Sequence, residues 1–188
     1  MVINEQGLLR AMKESYKGAG YQVACKETGD GSEIYIKTGM WRVMCELKNF
    51  PRKALGLLAE HMGALPEPGQ ALQVKKKECQ TMIFQDAMET FQGITADDCI
   101  NPANVIKTDL TYKGGSVWLQ PRGKKVYWID PDLENIIKRT GKEVSLGDRV
   151  ISASGTVSGV AIAPMPPANE IERRVLEYLA GLNETANT

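Results

Sequence analysis

Histidine occurs once in the 188 residues, at His61, and the four cysteines, Cys25, Cys45, Cys79 and Cys99, form no C-x-x-C pair. A structural zinc site therefore has little to be built from. No apolar run approaches the ~20 residues that cross a bilayer, and Met1-Val2-Ile3-Asn4-Glu5 lacks the basic and apolar regions of a signal peptide. The expectation is a cytoplasmic chain with no membrane partner. There is no excess of either charge, 23 basic residues standing against 23 acidic ones. That argues against a partner such as bulk duplex DNA engaged over the whole surface. The cytoplasmic reading disfavours disulfides, so buried free thiols are expected, Cys25 on the Tyr21/Val23 face of its strand and Cys45 on the Trp41/Val43/Leu47 face.

What is present points to a folded α+β chain. Apolar residues make up 43% and charged residues 24%, enough to close a core. Glu33 to Lys37, Met40 to Lys48 and a helix opening at Pro51 read as hairpin plus helix. A looser echo follows in Val117 to Gln120, Lys124 to Ile129 and a helix opening at Pro131. The expected fold is α+β, with antiparallel β-meanders or hairpins each followed by a helix and amphipathic helices at both ends. The echo is either a pseudo-duplicated ββα arrangement or a chance recurrence of a common motif. Pro66-Glu67-Pro68-Gly69 reads as a linker between residues 1–65 and 70–188, halves that either stand apart or share one core.

Asn4 is a good N-cap and Glu5 suits the first turn. Leu8, Leu9, Met12 and Tyr16 recur at helical spacing, and Gly18 and Gly20 end the helix. Tyr21 to Lys26, Ile34 to Lys37 and Trp41 to Leu47 alternate as a three-stranded meander turned at Thr28 to Ser32 and at Gly39. Pro51 suits the first helical position. The helix after it is apolar nearly all round (Ala54, Leu55, Leu57, Leu58, Ala59, Met62, Leu65), which predicts burial on more than one side. Ala71 to Lys77 reads as a strand. Cys79, Ile83, Ala87 and Phe91 at four-residue spacing favour a helix over a strand, and Gly93 to Ala103 reads as loop. Asn104 to Tyr112 alternates, with turns at Gly114-Gly115 and Pro121-Arg122-Gly123, giving a hairpin over 105–129. Asp130-Pro131-Asp132 opens a helix that Leu133, Ile136 and Ile137 turn inward and Gly141 stops. Val144 to Ala163 reads as short strands and Pro164 to Pro167 as a stiff connector. A last helix over 168–182 buries Ile171, Val175, Tyr178, Leu179 and Leu182, with residues 183–188 frayed.

No catalytic or cofactor motif emerges, so no cofactor or metal is implied. His61 sits near a helix end, where dipole pairing competes with catalysis beside a thiol such as Cys45. Asp97-Asp98 is an incomplete metal-ligand set before Asn101-Pro102, where turn chemistry explains it. Lys75-Lys76-Lys77 reads as a solvated edge. Ser154, Gly155, Ser158 and Gly159 resemble a hydrolase elbow only superficially, because the serine is off-centre and no helix follows. They fit a tight hairpin with Ser152, Ser154 and Ser158 outward, or a loop whose N–H groups approach a phosphate. Between Ile106 and Trp128, Lys107, Lys113, Arg122, Lys124 and Lys125 face one acid, Asp109. Trp118, Tyr127 and Trp128 lie among them, a composition suited to stacking on single-stranded nucleic acid or a nucleotide.

Three readings follow. The first is a small cytoplasmic, non-catalytic binding protein of the accessory or inhibitor type that mobile elements carry, with a protein partner or itself (a homodimer) as target. The second is a nucleic-acid or nucleotide binder using the basic-aromatic hairpin. The third is an enzyme of unrecognised type using His61, Cys45 or Asp97-Asp98.

Overall fold

Asn4 opens the first helix, α1 (Glu5–Lys17), its side chain accepting from the N–H of Gln6 at 3.2 Å, and Gly18 and Gly20 close it. The computed structural model describes residues 1–76, 78–89, 103–104, 106–120, 125–138, 144–147, 150–155, 157–163, 165 and 167–186. After α1 the expected meander forms as β1 (Tyr21–Thr28), β2 (Gly31–Lys37) and β3 (Trp41–Glu46), each antiparallel to the next. A 3-10 turn leads to α2 (Arg52–Met62). Pro51 lies one residue before the first helical position and brings no side-chain cap. Glu5 of α1 supplies it instead, accepting from the N–H of Lys53 at 2.8 Å.

The next segment departs from the periodicity. Cys79 and its neighbours belong to β5 (Glu78–Met82), paired with β4 (Ala71–Lys75) across a turn in which Lys76 has φ 41°. The helix α3 begins only at Phe84 and ends at Glu89. A hydrogen-bonded ladder outweighs a weak helical stripe, and of that stripe Ala87 is buried while Cys79 and Ile83 are exposed. Phe91, residues 93–102 of the expected Gly93–Ala103 loop and the expected turn at Pro121-Arg122-Gly123 lie outside the described residues, while Ala103 is in a strand.

The second half adds β6 (Ala103–Asn104), β7 (Ile106–Tyr112), β8 (Gly115–Gln120) and β9 (Lys125–Ile129), the short helix α4 (Pro131–Glu134), β10 (Val144–Gly147), β11 (Val150–Gly155), β12 (Ser158–Ile162) and α5 (Glu170–Ala186). One nine-stranded sheet runs β5-β4-β1-β2-β3-β12-β11-β10-β6, and β7-β8-β9 make a second sheet. Strands from both sides of the Pro66–Gly69 stretch thus share the large sheet, β12 lying against β3 with Val160 opposite Val43. The hairpin of the first unit, β2–β3, is in the large sheet and that of the second, β8–β9, in the small one. Their helices differ too, 11 residues against 4, and the likeness stops at local pattern.

Asp130 caps α4 as its sequence implies, but the helix stops after one turn. Tertiary pairing takes over: Ile136 accepts from the N–H of Asn4 at 2.8 Å, Lys138 donates to Val2 at 2.7 Å, and Ile137 bridges Ile3. This segment presses on α1 at Gly7, where a Cβ would overlap the carbonyl of Asn135.

The core lies between the large sheet and the helices α1 and α2. It joins Leu8 and Met12, Ala54, Leu57 and Leu58, and the inward residues Tyr21, Val23, Ile34, Ile36, Trp41, Val43, Val160 and Ile162, with Trp118 and Ile129 from the small sheet. Each large side chain so buried contributes about 1.5–3 kcal/mol. The α2 helix buries Ala54, Leu57 and Leu58 here, leaving Leu55 and Met62 half-covered. On the opposite face α3 covers a smaller cluster, Ala24, Tyr35, Ala71 and Ala87. The last helix is turned from the expected stripe: Leu176 is buried, whereas Ile171 and Tyr178 are 74% and 67% exposed. No helix among the described residues is long and apolar enough to cross a membrane.

Two glycine substitutions test this packing. Gly7→Ala is expected to destabilise by about 1–3 kcal/mol, because backbone must move to admit the methyl group. Gly56→Ala, with open space around it, is expected to stabilise by about 0.5–1 kcal/mol through helix propensity. Urea unfolding of both variants measures the contrast.

Candidate functional site

The basic-aromatic hairpin spends its aromatic residues on packing. Trp118 is 6% exposed and belongs to the main core, so it cannot stack on a ligand without unfolding its surroundings. Tyr127, directly across from Trp118, packs partly against the same core. Trp128 lies over Gly115, where a Cβ would meet its indole, and Tyr112 meets its ring edge-on at 6.2 Å. Lys113 forms an ion pair with Glu172 of α5. That contact pulls the lysine above and the glutamate below its ordinary pKa, the hydrogen bond between them being the first cause in each. Glu172 also accepts from the N–H of Ala168 at 2.6 Å, while Asn169 accepts from the N–H of Glu172 at 2.9 Å, so the start of α5 and the hairpin turn are pinned together. Arg122 and Lys124 lie outside the described residues, as does the side chain of Lys125.

The Gly155–Gly159 stretch is a tight hairpin, Gly155 pairing with Ser158 and Ser154 with Gly159. Ser158 does not face solvent: it is fully buried, and its Oγ accepts from the N–H of Val2 at 3.0 Å. The N-terminal segment crossing over β12 accounts for the inversion. The side chains of Ser152 and Ser154 are not among those described, and Asp97, Asp98 and Cys99 lie outside the described residues.

His61 sits in a cluster that no local pattern announced. Its ring stacks on Tyr16 at 3.7 Å, nearly parallel, and its Nδ1 is 2.7 Å from the Tyr21 hydroxyl. Tyr21 is 1% exposed, and burial holds its hydroxyl well above the ordinary tyrosine range. A tyrosine so held donates its proton to a hydrogen bond and does not give it up. The cluster joins α1, α2 and β1. The Cys45 thiol is buried, and burial, aided by Glu46, pushes it up to about 12, far from a nucleophile's range. Cys25 is buried with its thiol also raised by burial, whereas Cys79 is exposed. Among the described residues no group of three His, Cys, Asp or Glu side chains is placed to hold a metal ion.

Two clefts lie at the end of the sheet where β1 begins and β2 turns into β3. The first, about 600 Å³, has Ala11, Met40, Trp41, Leu133 and Met165 as its apolar lining and Arg10, Glu14, Asp130 and Asp132 among its charged residues. Its walls are fixed by hydrogen bonds. Thr38 Oγ1 accepts from the N–H groups of Met40 and Trp41 at 3.0 and 3.1 Å, which holds Met40 at the turn with 37% of its surface exposed. Ala163 donates to the Met40 carbonyl at 2.8 Å and Met165 to the Trp128 carbonyl at 2.9 Å, bringing the second methionine to the same cleft. Arg10 and Asp132, 3.0 Å apart, tie α1 to α4.

The second cleft, about 560 Å³, opens on the other face of the sheet and is lined by Gln22, Lys37, Arg42, Gln73 and Glu89. Both clefts border Ala19, Gly20, Thr38 and Gly39, so they meet at one saddle. Gln73, Gln22, Lys37 and Arg42 are consecutive cross-strand neighbours. Burial, and then the guanidinium of Arg42, hold the Lys37 ammonium below its ordinary pKa. The Oε1 of Gln22 is buried with no hydrogen-bond partner among the described residues.

Sequence reasoning passed over this end of the molecule, although two signals were there. A methionine at the tip of a polar turn is out of place, and a hairpin closing through Thr38 to Trp41 sets two cations directly opposite each other, an arrangement that is ordinarily destabilising. Comparison with family models, with curated proteins and with solved structures finds no match to this chain.

The cluster at His61 has a pH signature. Burial lowers the His61 pKa from its ordinary 6.5, Glu60 opposing and Lys13 reinforcing the shift. As pH falls through that ordinary value the unfolded chain takes up a proton that the folded chain resists, so stability is full above it and declines below. The urea midpoint of the native protein is expected to drop between pH 7.5 and 5.5 more than that of His61→Gln; equal drops would remove His61 as the cause.

Proposed function

We propose that the chain is a non-catalytic, cytoplasmic interaction protein whose partner seats an apolar side chain in the cleft formed by Met40, Trp41, Leu133 and Met165. The observation that carries this reading is Met40, which Thr38 holds at the rim of an apolar cleft rather than letting it fold into the core. Exposed methionine is a plastic contact surface that adapts to its guest, and a mostly apolar concavity with a few polar groups is the usual form of a binding site. The occupant is a protein segment with a basic residue beside its apolar one. Glu14, Asp130 and Asp132 outnumber Arg10 among the lining residues, and complementary charge steers and orients such a partner. The groups that could do chemistry support the same reading, since Tyr21 and His61 bond each other and Cys45 is a buried neutral thiol.

Selection from a random dodecapeptide display library against the immobilised full chain tests it. Enriched peptides are expected to pair a large apolar residue with Lys or Arg and to lose at least tenfold in affinity with Met40→Asp, while the thermal midpoint stays unchanged. Enrichment that ignores Met40→Asp, or none at all, would overturn the reading. So would a homodimer in native mass spectrometry that Met40→Asp dissociates, because the occupant would then be a second copy.

A further inference from the structure

The large sheet ends at β5, and among the described residues no strand pairs with its outer edge. The register shows which groups that edge presents. The N–H of Cys25 donates to the Gln70 carbonyl, so the bonded pairs of the β1–β4 ladder continue as Val23–Leu72 and Tyr21–Val74. The residues between them, Ala71, Gln73 and Lys75, turn the other way and bond Met82, Gln80 and Glu78. Cys79 and Thr81 therefore point their N–H and C=O groups outward. Such an edge is ordinarily blunted by lysine, proline or a bulge. Here Lys75 ends β4 and Lys76 takes the turn, its N–H donating to the Tyr16 carbonyl at 3.3 Å. The stretch from Cys79 to Phe84 holds no charge, proline or glycine. Cys79, Gln80 and Thr81 are exposed, and Ile83, next on the side of Cys79 and Thr81, is 69% exposed. Met82 packs against the cluster beneath α3, which holds the strand in place.

We propose that β5 pairs antiparallel with β5 of a second copy about a two-fold axis at Thr81, joining two large sheets into one. Thr81 then faces Thr81, and Ile83 of each copy lies across from Cys79 of the other, apolar against apolar. Outward groups meet outward groups in this register, so the backbone of both edges is satisfied at once. A two-fold one position earlier also aligns them, but sets Ile83 against the lysine turn. The antiparallel direction carries the Lys75–Lys76 turn of each copy towards Asp86 and Glu89 in α3 of the other, and opposite charges so placed orient the pair. Backbone bonds supply the affinity and the facing side chains the register, as in strand addition generally. This interface goes beyond the cleft reading above, because no residue of β5 lines the cleft at Met40.

Sedimentation velocity of the full chain over a dilution series, up to about 100 μM, tests the pairing. The native protein is expected to move towards twice the chain mass as concentration rises. Thr81→Pro removes an outward N–H without breaking a bond to β4, and Ile83→Lys puts a charge into the contact. Each is expected to stay monomeric throughout, with a thermal midpoint within a few degrees of the native protein. Met40→Asp is expected to leave the dimer intact. In a Cys79→Ser background, Thr81→Cys is expected to link the two copies under mild oxidation, since bonded partners stand about 5.5 Å apart at Cα. The native Cys79 thiols, four residues out of step and about 14 Å apart, are expected not to link. A monomer at every concentration, a dimer that survives both Thr81→Pro and Ile83→Lys, or a link through Cys79 would overturn the proposal and leave the cleft reading standing. A dimer lost with Met40→Asp but kept with Thr81→Pro would remove both.

Discussion

The pairing of β12 with β3 is the contact on which the rest of the structure depends. It places Val160 opposite Val43 and Ile162 opposite Trp41, so that residues more than a hundred positions apart complete one sheet and one core. It also carries the chain onward to donate from Ala163 to Met40, which brings Met165 to the cleft. A meander of three strands has two open edges, and each unpaired edge leaves a row of N–H and C=O groups to be satisfied. Here β4 closes one and β12 the other. The N-terminal segment locks the arrangement, Val2 donating to Ser158 and accepting from Lys138.

The two faces of the large sheet do different work. One is apolar and buried beneath α1 and α2. On the other, α3 covers an apolar cluster, and the Gln73–Gln22–Lys37–Arg42 row is polar. The proposed site lies where these faces meet at the strand ends, a position where the sheet supplies rigidity and the turn supplies exposed side chains. Met40, exposed at the tip of its turn, departs from what a hairpin needs for stability alone. Local departures of this kind concentrate where a protein does something besides fold.

Other candidates were absorbed by structure. The tryptophans of the hairpin look available for stacking when counted along the chain, but Trp118 supplies core volume and Trp128 rests against Gly115 and Tyr112. Lys113 contributes to holding α5 rather than to an open basic patch. His61 likewise cross-links three elements through Tyr16 and Tyr21. In each case the residue type was suggestive and the neighbours, distant in sequence, decided its role.

Short-range rules were sufficient for a large share of this fold. Asn4, the alternation of Tyr21 to Leu47, the glycines at 18, 20 and 114 and the cap at Asp130 are local signals, and the helix, the meander, the hairpin and the helix start they announce are all present. The α+β class follows from them. Tertiary contact decided the rest. It drew Glu78–Met82 into a strand, ended α4 after one turn so that Ile136 could enter the core, buried Ser158, turned Leu176 inward in place of Ile171 and Tyr178, and made Glu5 the cap of a second helix. The physical reason is common to all of them. A backbone group or an apolar side chain takes the partner that best removes it from water, and for these residues that partner comes from a remote stretch of chain that no local period encodes. The clefts belong to the same category, because Met40, Leu133 and Met165 become neighbours only after β12 has found β3.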